Sequence, residues 1–247
     1  MVSEDCWQAT PGKVVDLVRN LGIAAGGTVM EDCRVLEACR EGKYTSVLVQ
    51  THDKKYVEYR TEHFVNALGS GAGKLCDSMG IDAGLYPVRH QAFITRRLPM
   101  LGKHGTNLDM LIDRQDYKGF SAVYGQQIAY TGQIIGCASP KLDAMRIDKN
   151  LKVNTKAFLE IVSEMFSEWI PDLAGVGIQA VWAGYYTEPR YIVDPELGLF
   201  VGMRGHGFML SQYIARMYVD KLLGRPVPEY FEKLKLNGPG LSEKAFK

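Results

Sequence analysis

Two stretches of the chain place glycines and a basic side chain where a strand gives way to a helix. Residues 64–79 read FVNALGSGAGKLCDSM, and residues 198–224 read GLFVGMRGHGFMLSQYIARMYVDKLLG. Such loops cradle phosphates when the glycines fall at the right spacing. In the first stretch only three residues separate Gly69 from Gly73, and Leu75 follows Lys74. A P-loop needs four residues between its glycines and a magnesium-binding hydroxyl after the lysine, so it fails at two points. A dinucleotide fingerprint, G-x-G-x-x-G, would put its third glycine at Lys74 or Cys76, and fails as well. The nucleophile elbow G-x-S-x-G is absent around Ser70. A strand-to-helix turn needing glycine for positive φ explains this stretch as well as a ligand loop does.

The second stretch adds Gly202, Gly205 and Gly207 around Arg204 and His206. Glycines let a backbone approach a flat ligand closely. The N-terminus of the helix that follows carries free N–H groups and about half a unit of positive charge. It suits an anion, or a carbonyl gaining negative charge. A plain βα turn remains the alternative.

These loops need a scaffold, and the totals describe an ordinary globular one. Of 247 residues, 46% are apolar and 23% charged, and the formal net charge is +1. This balance, with no basic block, leaves no footprint for nucleic acid. No apolar run reaches the roughly 20 residues a membrane helix needs, and the polar N-terminus is not a secretory signal. The five cysteines are odd in number and contain no C-x-x-C, and the histidines show no metal-ligand spacing. A reducing cytoplasm is therefore expected, without zinc or a disulfide framework.

Thr10-Pro11-Gly12 starts a helix with Val14, Val15, Leu17, Val18 and Leu21 on a broad apolar face. Three short strand-like stretches follow, separated by turns, and a fourth, HFVNAL, enters the first glycine loop. Residues 85–137 are again strand-rich. Phe158, Ile161, Val162, Met165, Phe166 and Trp169 then fall on one face of a helix over 154–169, capped by Asn154 or Thr155. GIQAVWAGYYTE reads as a strand with Trp182 in the core, and a last helix runs from about 206 to 223 with Gly224 as its cap. The fold class is α+β. Cys137 reads as a small buried cysteine.

Three segments in this order resemble the FAD-dependent D-amino acid oxidase superfamily. FVNALGSGAGKLCDSMGI is similar to the V-N-A-A-G-x-W-S stretch, and GLYPVRHQAFIT to the P-x-R-G-Q segment. AVWAGYYTEPRYIVDPELGLFVGMRGHGFMLSQYIARMYVDKLL resembles the C-terminal W-A-G and G-x-x-G-H-G-F segment. The resemblance implies a discontinuous layout. Residues 1–84 and 185–247 belong to an FAD-binding domain, and 85–184 form an antiparallel substrate domain with a covering helix. It implies FAD contacts from Val35, Asn66, Gly69, Gly71, Trp182, Gly184, Gly202, Gly205, His206, Gly207 and Phe208. His206, opening a helix, is expected to stay neutral and to pack or hydrogen-bond near the flavin.

Two departures accompany it. The family's G-x-G-x-x-G cradle lies ahead of the first motif seen here. Either the sequence is a piece of a longer frame, or a separate chain supplies that half. Several members also carry a carboxylate-binding arginine two residues after W-A-G, where this chain has Tyr186. Arg204 and Arg190 are the candidates to replace it by bidentate pairing, with Arg204 preferred. Tyr124, Tyr130, Tyr185 and Tyr186 are candidate wall residues. The implied function is oxidation of the C–N bond of an amino acid or N-alkylated amine by hydride transfer to FAD. The alternative is a degenerate or structural chain of the same fold that does not hold FAD alone.

Overall fold

The structure, a computed structural model, describes residues 9–102, 108–113, 120–128, 131–140 and 155–240. A first helix, α1 (Pro11–Ala24), carries proline in its first turn and buries none of its residues. A three-stranded antiparallel meander follows: β1 (Arg34–Glu41), β2 (Tyr44–Gln50) and β3 (Tyr56–Thr61). β2 alternates strictly, with Thr45, Val47 and Val49 facing inward. That period of two lays Val47 and Val49 beside Ala38 and over Leu75 of the short helix α2 (Ala72–Ser78). Ser78 secures the contact by accepting a hydrogen bond from the Ala38 N–H at 3.1 Å.

The HFVNAL stretch contributes one parallel bridge, Asn66 to Leu199, in place of a full strand. Leu199 begins β10 (Leu199–Val201), which pairs antiparallel with β9 (Ile192–Asp194). The last long helix, α4 (Gly207–Leu222), packs Ile214, Met217 and Tyr218 against Tyr191, Val193, Phe231 and Leu234. It ends as its sequence requires, at Gly224 with φ of +67°.

The largest sheet holds five antiparallel strands in the order β5 (Leu111–Asp113), β6 (Phe120–Ile128), β7 (Gln133–Pro140), β4 (Tyr86–Thr95), β8 (Ile178–Glu188). Its two faces differ. One carries Phe93, Val123, Ile134 and Ala138, covered by Phe158, Ile161, Val162, Met165 and Phe166 of α3 (Thr155–Trp169). A fully buried side chain of this kind contributes about 1.5–3 kcal/mol, so the apolar stripe holds the helix in place. Gly125 makes the fit possible, since a β-carbon there would lie 2.5 Å from the Phe166 ring. A cavity of about 450 Å³ remains between α3 and the sheet, lined by Phe93, Ile134, Leu159, Phe166 and Ile178. Thr95, Glu160, Ser163 and Glu164 also line it.

The opposite face follows from the register. Ala92 pairs with both Cys137 and Trp182, Cys137 pairs with Tyr124, and His90 pairs with Gly184. Directly paired residues share a face, and alternation puts Tyr186 on the same side. Trp182 is 41% exposed there, so the expected core position is wrong. Among the described residues the expected strands of 85–137, the helix expected over 154–169 and the strand GIQAVWAGYYTE are present; Thr155 stands inside α3 and is not its cap, while Asn154 and Tyr130 lie outside what is described.

Candidate functional site

The two glycine loops leave neighbouring parallel segments, and each touches β8. The Asn66 N–H donates to the Gly198 carbonyl at 2.8 Å, and the Phe200 N–H donates to the Asn66 carbonyl at 3.0 Å. Just beyond, a 3-10 turn at Gly69–Gly71 leads into α2, and a second at Arg204–His206 leads into α4. Both turns touch β8.

Asn66 organises the first loop from behind. It is fully buried, donating from Nδ2 to the Ala72 carbonyl at 3.1 Å and accepting from the Leu68 N–H at 3.2 Å. Gly69, with φ of +55°, has open space where a β-carbon would stand. The glycines of the second loop are required by the chain itself. A β-carbon on Gly205 would lie 2.7 Å from the Tyr186 ring, and one on Gly202 would run into the Arg190 carbonyl.

Arg204 sits in this loop with φ of +49°, a region a non-glycine residue enters at a cost. Its Nε donates to Glu188 Oε2 at 2.7 Å, at the end of β8. The guanidinium proposed for a substrate carboxylate therefore already holds a carboxylate of its own chain. Arg190 is placed elsewhere. Its guanidinium donates to the carbonyls of Gly238 and Leu236, stapling the following segment onto the strand junction. It is not brought to the open sheet face.

On that face, Tyr124 and Tyr186 approach through their hydroxyls at 3.4 Å. Tyr124 also hydrogen-bonds Cys137. Burial pushes the pKa of both tyrosines and of Cys137 upward, so all three stay protonated at neutral pH. Beneath them lies His90, which the sequence reading missed. Its ring stacks on Tyr186 at 3.7 Å with an interplanar angle of 27°. It is 8% exposed, and its Nδ1 has no hydrogen-bond partner. Burial first, then the nearby Arg204 charge, bring its pKa down to about 4. One signal was available: His90 stands where the P-x-R-G-Q pattern has glycine.

The remaining candidates divide. Gly184 and Trp182 share the open face with His90. Tyr185 pairs with Arg89, on the α3 side. Val35 packs into the meander core. His206 accepts or donates at Nδ1 to the Tyr191 hydroxyl, and Phe208 is 42% exposed in the first turn of α4. No side chain caps α4, so its first N–H groups are available to a ligand.

The site fits the ring end of a flavin: an open, flat, uncharged face, a glycine turn beside it, and an uncapped helix N-terminus. The pyrophosphate end finds no counterpart, since the sequence contains no G-x-G-x-x-G. Among the described residues no group of histidines, cysteines and carboxylates is arranged to hold a metal, and no helix is long and apolar enough to cross a membrane.

A family model described as FAD dependent oxidoreductase matches residues 1–221. Among solved structures, glycine oxidase from Geobacillus kaustophilus superimposes with a TM-score of 0.65 at 18% identity, over 87% of this chain and 54% of its own. Iminodiacetate oxidase from Chelativorans sp. BNC1 gives 0.66 at 15% identity, over 92% and 58%. NikD, an unusual amino acid oxidase essential for nikkomycin biosynthesis, gives 0.66 at 15%, over 87% and 57%. At these identities the likeness is one of fold, and the chain spans little more than half the length of each. No curated protein matches the sequence.

Proposed function

This chain belongs to the FAD-dependent oxidoreductase family, and from that premise we propose that it forms the substrate-facing part of an enzyme oxidising a C–N bond. The substrate is an amino acid or an N-alkylated amine. The observation that carries this reading is that both glycine turns touch β8, the strand that brings Trp182 and Tyr186 to the open face beside Tyr124. Gly69, Gly71, Gly205 and the first N–H groups of α4 would hold the ring system. When bound, flavin supplies the hydride acceptor.

The chain's own residues position and desolvate. His90, neutral at pH 7, supports the Tyr186 ring from beneath without adding charge to the face. The Tyr124 and Tyr186 hydroxyls remain protonated and orient the substrate by hydrogen bonding. The sheet excludes water from one side of the reacting carbon, which strengthens each polar contact made there.

The phosphate cradle would come from a G-x-G-x-x-G unit, either ahead of these residues in a longer frame or on a separate chain. The second reading is a degenerate or structural chain of the same fold that does not hold FAD alone. The test is to tag the chain in its own cells and purify it gently. A complex with a second chain, absorbing at about 450 nm as oxidised flavin does and bleached anaerobically by an amine, supports the enzyme. A flavin-free complex inert to amines supports the structural reading.

A further inference from the structure

We propose that the open sheet face selects an N-alkylated amine with no carboxylate beside the nitrogen, and rejects the corresponding amino acid. The inference rests on reading the site as amine-oxidising, and narrows its substrate.

A carboxylate buried against this face needs a cation, and among the described residues the register supplies none. Tyr124 and Gln126 on β6, Cys137 on β7, His90 on β4, and Trp182 and Tyr186 on β8 face the site, and none carries charge at neutral pH. Position 186, two residues after Trp-Ala-Gly, is a tyrosine, and Gly205 packs against its ring. The guanidinium at the rim, Arg204, is bound by Glu188 at 2.7 Å, so the pair presents no net charge. An arriving carboxylate would meet Glu188 as a like charge, beside an ion pair whose side chains are 30% and 16% exposed. An alkylated ammonium meets no such cost. Tyr186 is covered by His90, but Trp182, at 41% exposure, has ring surface to offer a cation. Alkyl groups on nitrogen enlarge that contact.

The test is binding to the full chain, followed by chemical shifts of the aromatic side chains. Tetramethylammonium, glycine betaine and acetate serve as probes, the first two sharing a quaternary nitrogen and differing in the carboxylate. Tetramethylammonium should bind at least about tenfold tighter than betaine, with acetate inert. Trp182→Leu, at an exposed position the fold tolerates, should weaken tetramethylammonium roughly 5- to 30-fold. Betaine binding as tightly as tetramethylammonium, or tighter, overturns the selection against carboxylates and leaves the amine reading standing. Binding of neither cation overturns both. Binding of tetramethylammonium that Trp182→Leu does not change overturns the role given to this face.

Discussion

Arg204 Nε lies 2.7 Å from Glu188 Oε2, so an ion pair ties the second glycine loop to the end of β8. The pair is sheltered, which makes it more than an exposed surface bridge. A double-mutant cycle with Arg204→Met and Glu188→Gln, read by urea denaturation, should give a coupling of about 1–2 kcal/mol. A coupling indistinguishable from zero would show that the loop is held by packing alone. Arg204→Gly should destabilise less than Arg204→Met, because glycine accepts the φ of +49° without strain.

His90 makes stability depend on pH in a defined direction. Burial brings its pKa to about 4 in the fold, against an ordinary value of 6.5. Between those values the unfolded chain binds the proton and the folded chain does not, so stability falls as pH drops from 6.5 toward 4. The loss attributable to this one group is up to about 3 kcal/mol. His90→Gln should flatten that part of the stability profile, which denaturant titrations at a series of pH values would reveal. A slope unchanged in the variant would assign the acid sensitivity to other groups.

The two loops should respond unequally to added methyl groups. Gly69→Ala suffers only from φ of +55°, since the space around it is open; the expected cost is about 1–2 kcal/mol. Gly202→Ala adds a collision with the Arg190 carbonyl to φ of +71°, for about 2–5 kcal/mol in all. Equal urea midpoints for the two variants would contradict the close approach at Gly202.

Purified by itself, the 247-residue chain should retain FAD weakly or not at all. The sequence has no G-x-G-x-x-G, and the backbone N–H groups of such a loop provide much of a dinucleotide's anchorage. Gel filtration of the chain with excess FAD checks this directly. Stoichiometric flavin co-eluting with the protein would require a different cradle.

Much of the scaffold was readable because its periodicities are local. The alternation of Thr45, Val47 and Val49 marks β2, and the spacing of Phe158, Ile161, Val162, Met165 and Phe166 marks α3. Three-residue β9 has too few positions to show a period and was missed. Trp182 was misjudged because VWAGYY is apolar on both sides of the strand, so alternation says nothing about which face is covered. The Glu188–Arg204 pair spans 16 residues of loop and strand, and Arg190 finds its acceptors nearly 50 residues away, at 236 and 238. Such partners depend on how the chain returns upon itself, which no window of sequence contains. The same holds for His90, whose isolation is a property of the neighbours stacked around it.

Helix α1 buries none of its 14 residues, with Val15 and Leu21 near 60% exposed. A helix of that length is marginal in water without tertiary support. Its amide protons in the lone chain should therefore trade with deuterium almost as fast as those of an unfolded peptide, while those of α3 stay protected. A proteolytic enzyme would cut first between residues 11 and 24 for the same reason. Any molecule that settles on Val15, Val18 and Leu21 would announce itself by slowing that exchange, which makes this segment a built-in reporter of assembly.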